Sequence, residues 1–208
     1  MYVPPHFAET DTAKLFDFIE AHSFGLLVSQ ADGRPFASHL PLLLDRHAGP
    51  HGALRGHLAR ANPQWRTAPG QEVLAVFSGP HAYISPTWYE AERVVPTWNY
   101  VAVHVYGTFR LVEEREALLG IVRDMVRFYE RPLPRPWDFD PTTEYATKML
   151  QGIVGFRVEV TRIEGKWKLG QNHPEERREK AARALEQYQD ENSRAVAELM
   201  RRTFRQHG

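Results

Sequence analysis

The 208-residue sequence predicts a small antiparallel β-barrel with peripheral helices. Three observations lead there. About seven short strand-like runs are punctuated by Gly, Pro, Asn and Asp turn signals. The clearest amphipathic helix comes late, after most of those runs, as a helix laid on a barrel would. The stretch Leu54–Gly107 interleaves flat rings (Trp65, Tyr83, Trp88, Tyr89, Trp98, Tyr100 and Tyr106) with hydrogen-bonding groups, where a plain barrel segment would alternate aliphatic and charged residues. Such a wall suits a planar polar ligand, although the same rings also pack β cores and subunit interfaces.

The elements follow in order. Pro4 and Pro5 hold the N-terminus extended. Thr10 or Asp11 caps a helix to about His22, with Leu15, Phe18, Ile19 and His22 on one face. Phe24–Ser29 is a strand, turned by Ala31-Asp32-Gly33 into a second over Phe36–Asp45. In that second strand Phe36, Ser38, Leu40, Leu42 and Leu44 share one face, and Ala37, His39, Pro41 and Leu43 the other. A strand carrying Ser, His and a Pro among aliphatics predicts a face or edge that meets something other than core. Ala53–Leu58 is the third strand. Asn62 then caps a short helix that Pro63 opens, and Arg60 beside its amides makes an anion contact conceivable.

Val73–Phe77 and His81–Ser85 read as two strands broken by Gly79-Pro80. Thr97–Val112 is long, with Gly107 expected at a bulge. Glu113–Glu130 is helical, with Leu118, Val122, Met125, Val126 and Tyr129 on one stripe. RPLPRPWDFDP stops it, and Thr142–Leu150 is a short helix. Val154–Ile163 and Lys166–Gly170 read as a hairpin turned at Glu164-Gly165. From Pro174 the character changes to two polar helices, roughly 174–189 and 192–206. Residues 1–173 are therefore expected to form the barrel domain and 174–208 a helical segment packed on it.

Charge and composition exclude several classes. Lys plus Arg and Asp plus Glu each number 26, so the formal net charge is zero, and no global field draws the chain to nucleic acid or an anionic membrane. The absence of Cys removes disulfides, thiolate metal sites and a Cys nucleophile. The N-terminus lacks a basic and then apolar signal pattern, and no run approaches membrane-spanning length, which predicts a soluble, cytoplasmic protein. The sequence holds no G-x-G-x-x-G, Walker loop, H-E-x-x-H or G-x-S-x-G, and no metal site is expected.

The motifs MYVPPHF, ASHLPLLLD, GHLARANPQW, GPHAYISPTWY, VPTWNYVAVHVYG, GIVGF and GKWKLGQN, in this order, resemble those of the PaiB-like flavin-binding family over nearly the whole chain up to Asn172. The resemblance implies the split β-barrel shared with pyridoxamine phosphate oxidases and flavin reductases, a homodimer with FMN at the subunit interface. By that analogy Ser38, His39, Leu40 and Pro41 lie along the isoalloxazine edge, while His57, Arg60 and Asn62 hold the ribityl chain and phosphate. Trp65 packs the short helix behind them. Thr97, Trp98 and Asn99 come from the other subunit or a facing wall, and Lys168, Gln171 and Asn172 close the site. Gly170 and His173 stand where the family more often has Ser and Arg.

Some family members are described as negative transcriptional regulators, so the resemblance also implies a flavin-binding repressor. The alternatives are an FMN-dependent oxidoreductase of the flavin reductase or pyridoxamine phosphate oxidase kind, or, with less support, a haem-binding or haem-degrading relative. Whether the chain is an enzyme stays open, and His39 and Tyr83 are the only acid–base candidates. The tail from residue 174 carries eight Arg or Lys against seven Asp or Glu. That balance argues against tight direct DNA binding and favours a protein partner for regulation.

Overall fold

A computed structural model describes residues 1–188 and 190–204. It is an antiparallel sheet with peripheral helices, as the sequence predicts. The elements are β1 (Ala8–Glu9), α1 (Thr12–Ala21), β2 (Phe24–Ala31), β3 (Arg34–Pro41), β4 (Leu43–Asp45), β5 (Ala53–Ala59), α2 (Gln64–Thr67), β6 (Glu72–Ile84), β7 (Thr97–Val112), α3 (Arg115–Glu130), α4 (Glu144–Gln151), β8 (Ile153–Lys168), α5 (Glu175–Glu186) and α6 (Glu191–Phe204). The strands run in the order β3-β2-β6-β7-β8-β5-β4, with β1 on β8.

The chain divides into two compact units. The first comprises Met1–Leu15, Ser78–Val103 and the chain from Glu164 onward; the second comprises Phe16–Phe77 and His104–Ile163. β6, β7 and β8 each contribute to both. In the second unit Leu27, Leu54, Leu58, Phe77, Phe109, Phe156 and Val158 are fully buried, and the Phe109 and Phe156 rings stack at 4.9 Å. Ile121 and Met125 of α3 pack on Leu43. In the first unit α5 and α6 pack on each other through Ala181, Leu185, Val196 and Met200, all buried.

Local signals hold where the chain itself satisfies them. Asp11 Oδ1 accepts from Ala13 N at 2.9 Å, capping α1. Asp32 and Gly33, both at positive φ, make the β2–β3 turn, the geometry that a two-residue hairpin favours. Thr143 Oγ1 accepts from Ala146 N at 3.1 Å and caps α4.

Four expectations are corrected. The second strand is two: Leu42 N–H leaves the ladder for Ser23 O at 2.8 Å, and Leu43–Asp45 then pair with Ala53–Arg55 of β5. Gly79-Pro80 does not break β6. It changes the buried face instead, from Val73, Ala75 and Phe77 before it to Ala82 and Ile84 after it, since a prolyl φ is compatible with extended backbone. Gly107 is no bulge, because Val105, Gly107 and Phe109 keep one buried face without a slip. A Cβ there would lie 2.4 Å from Glu159 O, so close approach of β8 demands the glycine. Gly165 is no turn. β8 runs straight through it, pairing with Glu9, and a Cβ would meet Leu15 Cδ2 at 2.3 Å.

Candidate functional site

In the second unit, alternation sorts the side chains of β2, β3 and β6 onto two faces. Leu27 lies between Ala75 and Ser38, toward the core. Leu26 lies between Val76 and His39, and Val28 between Leu74 and Ala37, on the opposite face. That opposite face is apolar yet not covered: Leu26, Val28, Leu74 and Val76 are only half-buried, His39 is exposed, and Phe24 is 68% exposed. Phe24 and His39 stack, with centroids 6.3 Å apart and planes within 22°. Ser38, His39, Leu40 and Pro41 therefore do not present one row of side chains. Ser38 and Leu40 share the core-side face, and His39 and Pro41 the open one.

The polar contact at this edge is built by α2 and the turn before it. Asn62 Nδ2 donates to Ser38 Oγ at 2.8 Å, and Asn62 Oδ1 accepts from Gln64 N at 2.9 Å, which caps the short helix as its sequence predicts. Buried Gln64 then ties the strands together, donating from Nε2 to Leu27 O at 3.1 Å and Ser29 Oγ at 3.0 Å.

Arg60 is already partly engaged. Its Nε donates to Gln151 O at 2.7 Å and its Nη2 to Ile153 O at 3.0 Å, so two of three guanidinium nitrogens close the end of α4. Trp65 Nε1 donates to Arg60 O at 2.9 Å, which ties the ring to the turn before α2. His57 shares a strand face with Arg55, which pairs with Asp124 of α3 at 2.9 Å. Its Nδ1 is buried without a partner, and burial lowers its pKa below the ordinary imidazole value.

The remaining predicted residues gather in the first unit. Lys168 Nζ donates to Thr97 Oγ1 and, at 2.6 Å, to Trp98 O. Burial, and then the charge of Lys166, lowers the Lys168 pKa. The Trp98 ring is 53% exposed, beside His81 and Tyr83. Asn99 is buried. Gln171 clamps its own turn, accepting from Leu169 N at 2.8 Å and donating to Trp167 O at 2.6 Å. Gly170 sits at φ +82°, a left-handed position that accounts for glycine there. His173 packs its ring on Tyr89 at 4.9 Å, and burial, then Arg177 and Lys168, lowers its pKa.

Sequence reasoning missed the open face formed by Phe24, Leu26, Val28, Leu74 and Val76. The signal lay in FGLLVS and EVLAVF, strand runs with no charge on either face past the first residue. It also passed over Arg93, which lines one cavity with Tyr89, Lys168 and His173; no local pattern brings a loop Arg to that place.

FMN fits the second unit's residues. The open apolar face offers a surface to a planar ring, and the Ser38–Asn62 pair offers a hydroxyl and an amide to a polyol. β3, terminal in the strand order, has outward backbone groups for a ring edge that both donates and accepts. Arg60 has one guanidinium nitrogen outside its carbonyl contacts for a phosphate.

Residues 1–162 match the family model described as "Putative FMN-binding domain". Over 203 residues the chain is 39% identical to the protease synthase and sporulation protein PAI 2 of Bacillus subtilis (strain 168), covering 96% of each. Among solved structures, the flavocytochrome Anf3 of Azotobacter vinelandii superposes with a TM-score of 0.59 at 13% identity, over 80% of this chain and 72% of that one. The FAD and heme binding protein of Mycobacterium smegmatis does so with a TM-score of 0.56 at 16% identity, over 78% and 74%. These two likenesses concern the fold.

Proposed function

Since the chain belongs to this FMN-binding family, as a relative of PAI 2, and takes FMN as its cofactor, we propose that it is a cytoplasmic, homodimeric flavin-binding regulator. The observation that carries this reading is the open face of β2, β3 and β6. Half-buried aliphatics in a continuous row, ending in the exposed Phe24–His39 stack, are what a flavin ring and a second copy of the chain would cover together. Ser38 and Asn62 hold the ribityl chain at its edge, with His39 and Pro41 along the ring on the open face, Leu40 meeting it through its backbone, and Trp65 bracing the turn. Bound flavin supplies hydride or electron transfer, and the chain supplies position.

Regulation through a protein partner suits the tail better than direct DNA contact. Lys180 pairs with Glu90 and Glu176, Arg183 with Glu179, Arg201 with Glu179 and Glu186, and Arg202 with Glu198. Arg178 donates to Thr203 and lies over the Phe204 ring. Among the described residues, these cations are spent on neighbouring carboxylates or packed within the tail, which works against a bare basic stripe for a phosphate backbone. A second reading, an FMN-dependent oxidoreductase, draws on His39, an exposed imidazole on the same open face.

The test is a titration of the purified protein with FMN, followed by flavin fluorescence, alongside light scattering. A dimer is expected, with saturable FMN binding that Asn62→Leu weakens roughly tenfold through the loss of one hydrogen-bonding group. Leu26→Arg should dissociate the dimer and lower FMN affinity together. A monomer at micromolar concentration whose FMN affinity ignores both substitutions would sink this placement. Oxidation of NADH or NADPH by the FMN-loaded dimer at steady state would favour the second reading.

A further inference from the structure

In the second unit, the C-terminal half of α3 and the segment that follows it border a groove of about 360 Å³. Val126, Pro136 and the Trp137 and Phe139 rings, with centroids 6.1 Å apart, form its apolar part. Phe139 is anchored beneath, packed on the cluster of Leu118, Leu119 and Leu150. Glu130 Oε2 accepts from Trp137 N at 2.6 Å, which ties the segment back to the helix. The Trp137 ring is thereby held at the rim, 59% exposed. None of these residues takes part in the flavin placement, and the volume lies within the roughly 300–1,000 Å³ of small-molecule sites.

Apart from Glu130, the charged groups of the groove are uncommitted. Arg123, Arg127 and Arg131 line it at i, i+4 and i+8, a spacing that sets like charges side by side at a cost. Among the described residues these guanidinium groups have no hydrogen bond or ion pair, and neither does the exposed Asp138 carboxylate on the same groove. In the tail, by contrast, Lys180, Arg183, Arg201 and Arg202 each face a carboxylate. Cations and a carboxylate that share a groove without pairing call for a ligand with an anionic end and a separate edge of N–H donors. The exposed indole adds a flat surface for a ring.

We propose that this groove binds a guanine nucleotide. The base stacks on Trp137, its adjacent N1–H and N2–H donors meet the two oxygens of Asp138, and its phosphates face Arg123, Arg127 and Arg131. Adenine and cytosine each set an acceptor nitrogen beside their amino group, and uracil flanks its one N–H with carbonyls. Guanine alone among them offers a carboxylate two adjacent donors. Three cations suit the polyphosphate of a free nucleotide, which would give the protein a signal separate from its flavin.

Isothermal titration calorimetry on the full chain, with and without saturating FMN, tests this with the triphosphates of guanosine, inosine, xanthosine and adenosine. GTP should bind saturably in both forms. ITP, which lacks the N2 amino group, should bind roughly tenfold more weakly, and ATP more weakly still. Asp138→Asn exchanges one acceptor for a donor, so XTP, with a carbonyl in place of that amino group, should then bind more tightly than GTP. Trp137→Ala should weaken every nucleotide roughly tenfold through lost stacking. Affinity should fall from GTP to GDP to GMP, and Arg123→Ala with Arg127→Ala should flatten that series. Trp137, Asp138 and Arg127 are exposed, so these substitutions leave the core intact. Any of five results would overturn the proposal: no saturation by about 1 mM GTP, equal affinity for GTP and ITP, an order of GTP over XTP that survives Asp138→Asn, displacement of FMN by GTP, or tighter binding of a guanine-containing single-stranded oligonucleotide than of GTP.

Discussion

Arg60 and Lys168 carry the same charge in opposite settings. Arg60 is exposed, yet its guanidinium is committed to the Gln151 and Ile153 carbonyls and lies 6.0 Å from the Trp65 ring. Lys168 is half-buried, with its pKa lowered chiefly by burial, and lines a cavity with no carboxylate among its described lining residues. Exposure alone would name Arg60 as the ligand-binding cation. Both residues donate to main-chain carbonyls, Arg60 to those of Gln151 and Ile153 and Lys168 to that of Trp98, and each keeps a donor beyond those contacts, so what separates them is burial rather than the kind of partner.

Arg60→Ala gives the largest effect expected from this contrast. Losing two charge-assisted contacts at a solvent-exposed site should cost about 1–2 kcal/mol of stability, read as a lower urea midpoint. FMN should lose more affinity than riboflavin, because the guanidinium nitrogen outside the carbonyl contacts is the one offered to the phosphate. Equal losses would show that Arg60 acts only through its carbonyl contacts.

The pH dependence gives a smaller effect. A lysine whose folded pKa lies below 10.5 binds fewer protons in the folded than in the unfolded state just below that value. Stability therefore rises as pH climbs toward 10.5. Lys168→Met should flatten this alkaline rise, and Arg60→Ala should leave it, since guanidinium does not titrate there. On the acid side, His22, His57 and His173 all have pKa values lowered from 6.5, in each case chiefly by burial. Their contribution is fully present above pH 6.5 and lost as pH falls below it, so the urea midpoint should drop between neutrality and pH 5.5. A midpoint that is flat in both directions would show that neither site is desolvated as described.

The smallest effect belongs to the tail. Arg202 and Glu198 form an i,i+4 pair with both side chains about two-thirds exposed. Arg202→Ala should change stability by no more than about 0.5 kcal/mol. A larger loss would mean that exposed tail cations do structural work like that of Arg60.

Much of the fold was legible in the sequence because its signals act over a few residues. The Asp11 and Thr143 caps, the Asp32-Gly33 turn and the alternation of Thr97–Val112 each need only their immediate neighbours. The aromatic and polar wall flagged a ligand, and the ordered motifs named the family. The candidate site was legible as a set of residues, but its division was not. Ser38 meets Asn62 in one unit, while Thr97, Asn99 and Lys168 line a cavity in the other.

What the sequence determined by itself, then, is the run of strands, the caps and the kinds of side chain available for binding. Only the tertiary structure decided what the ambiguous residues do. Gly165 reads as a turn until Leu15 and β1 lie against it. Gly107 reads as a bulge until the Glu159 carbonyl occupies the place of its Cβ. Arg60 reads as a bare surface cation until carbonyls 91 and 93 residues away take two of its guanidinium nitrogens. Glycine and arginine each serve several purposes at similar local cost, and the choice among them is made by neighbours distant in sequence, whose contacts no short window contains.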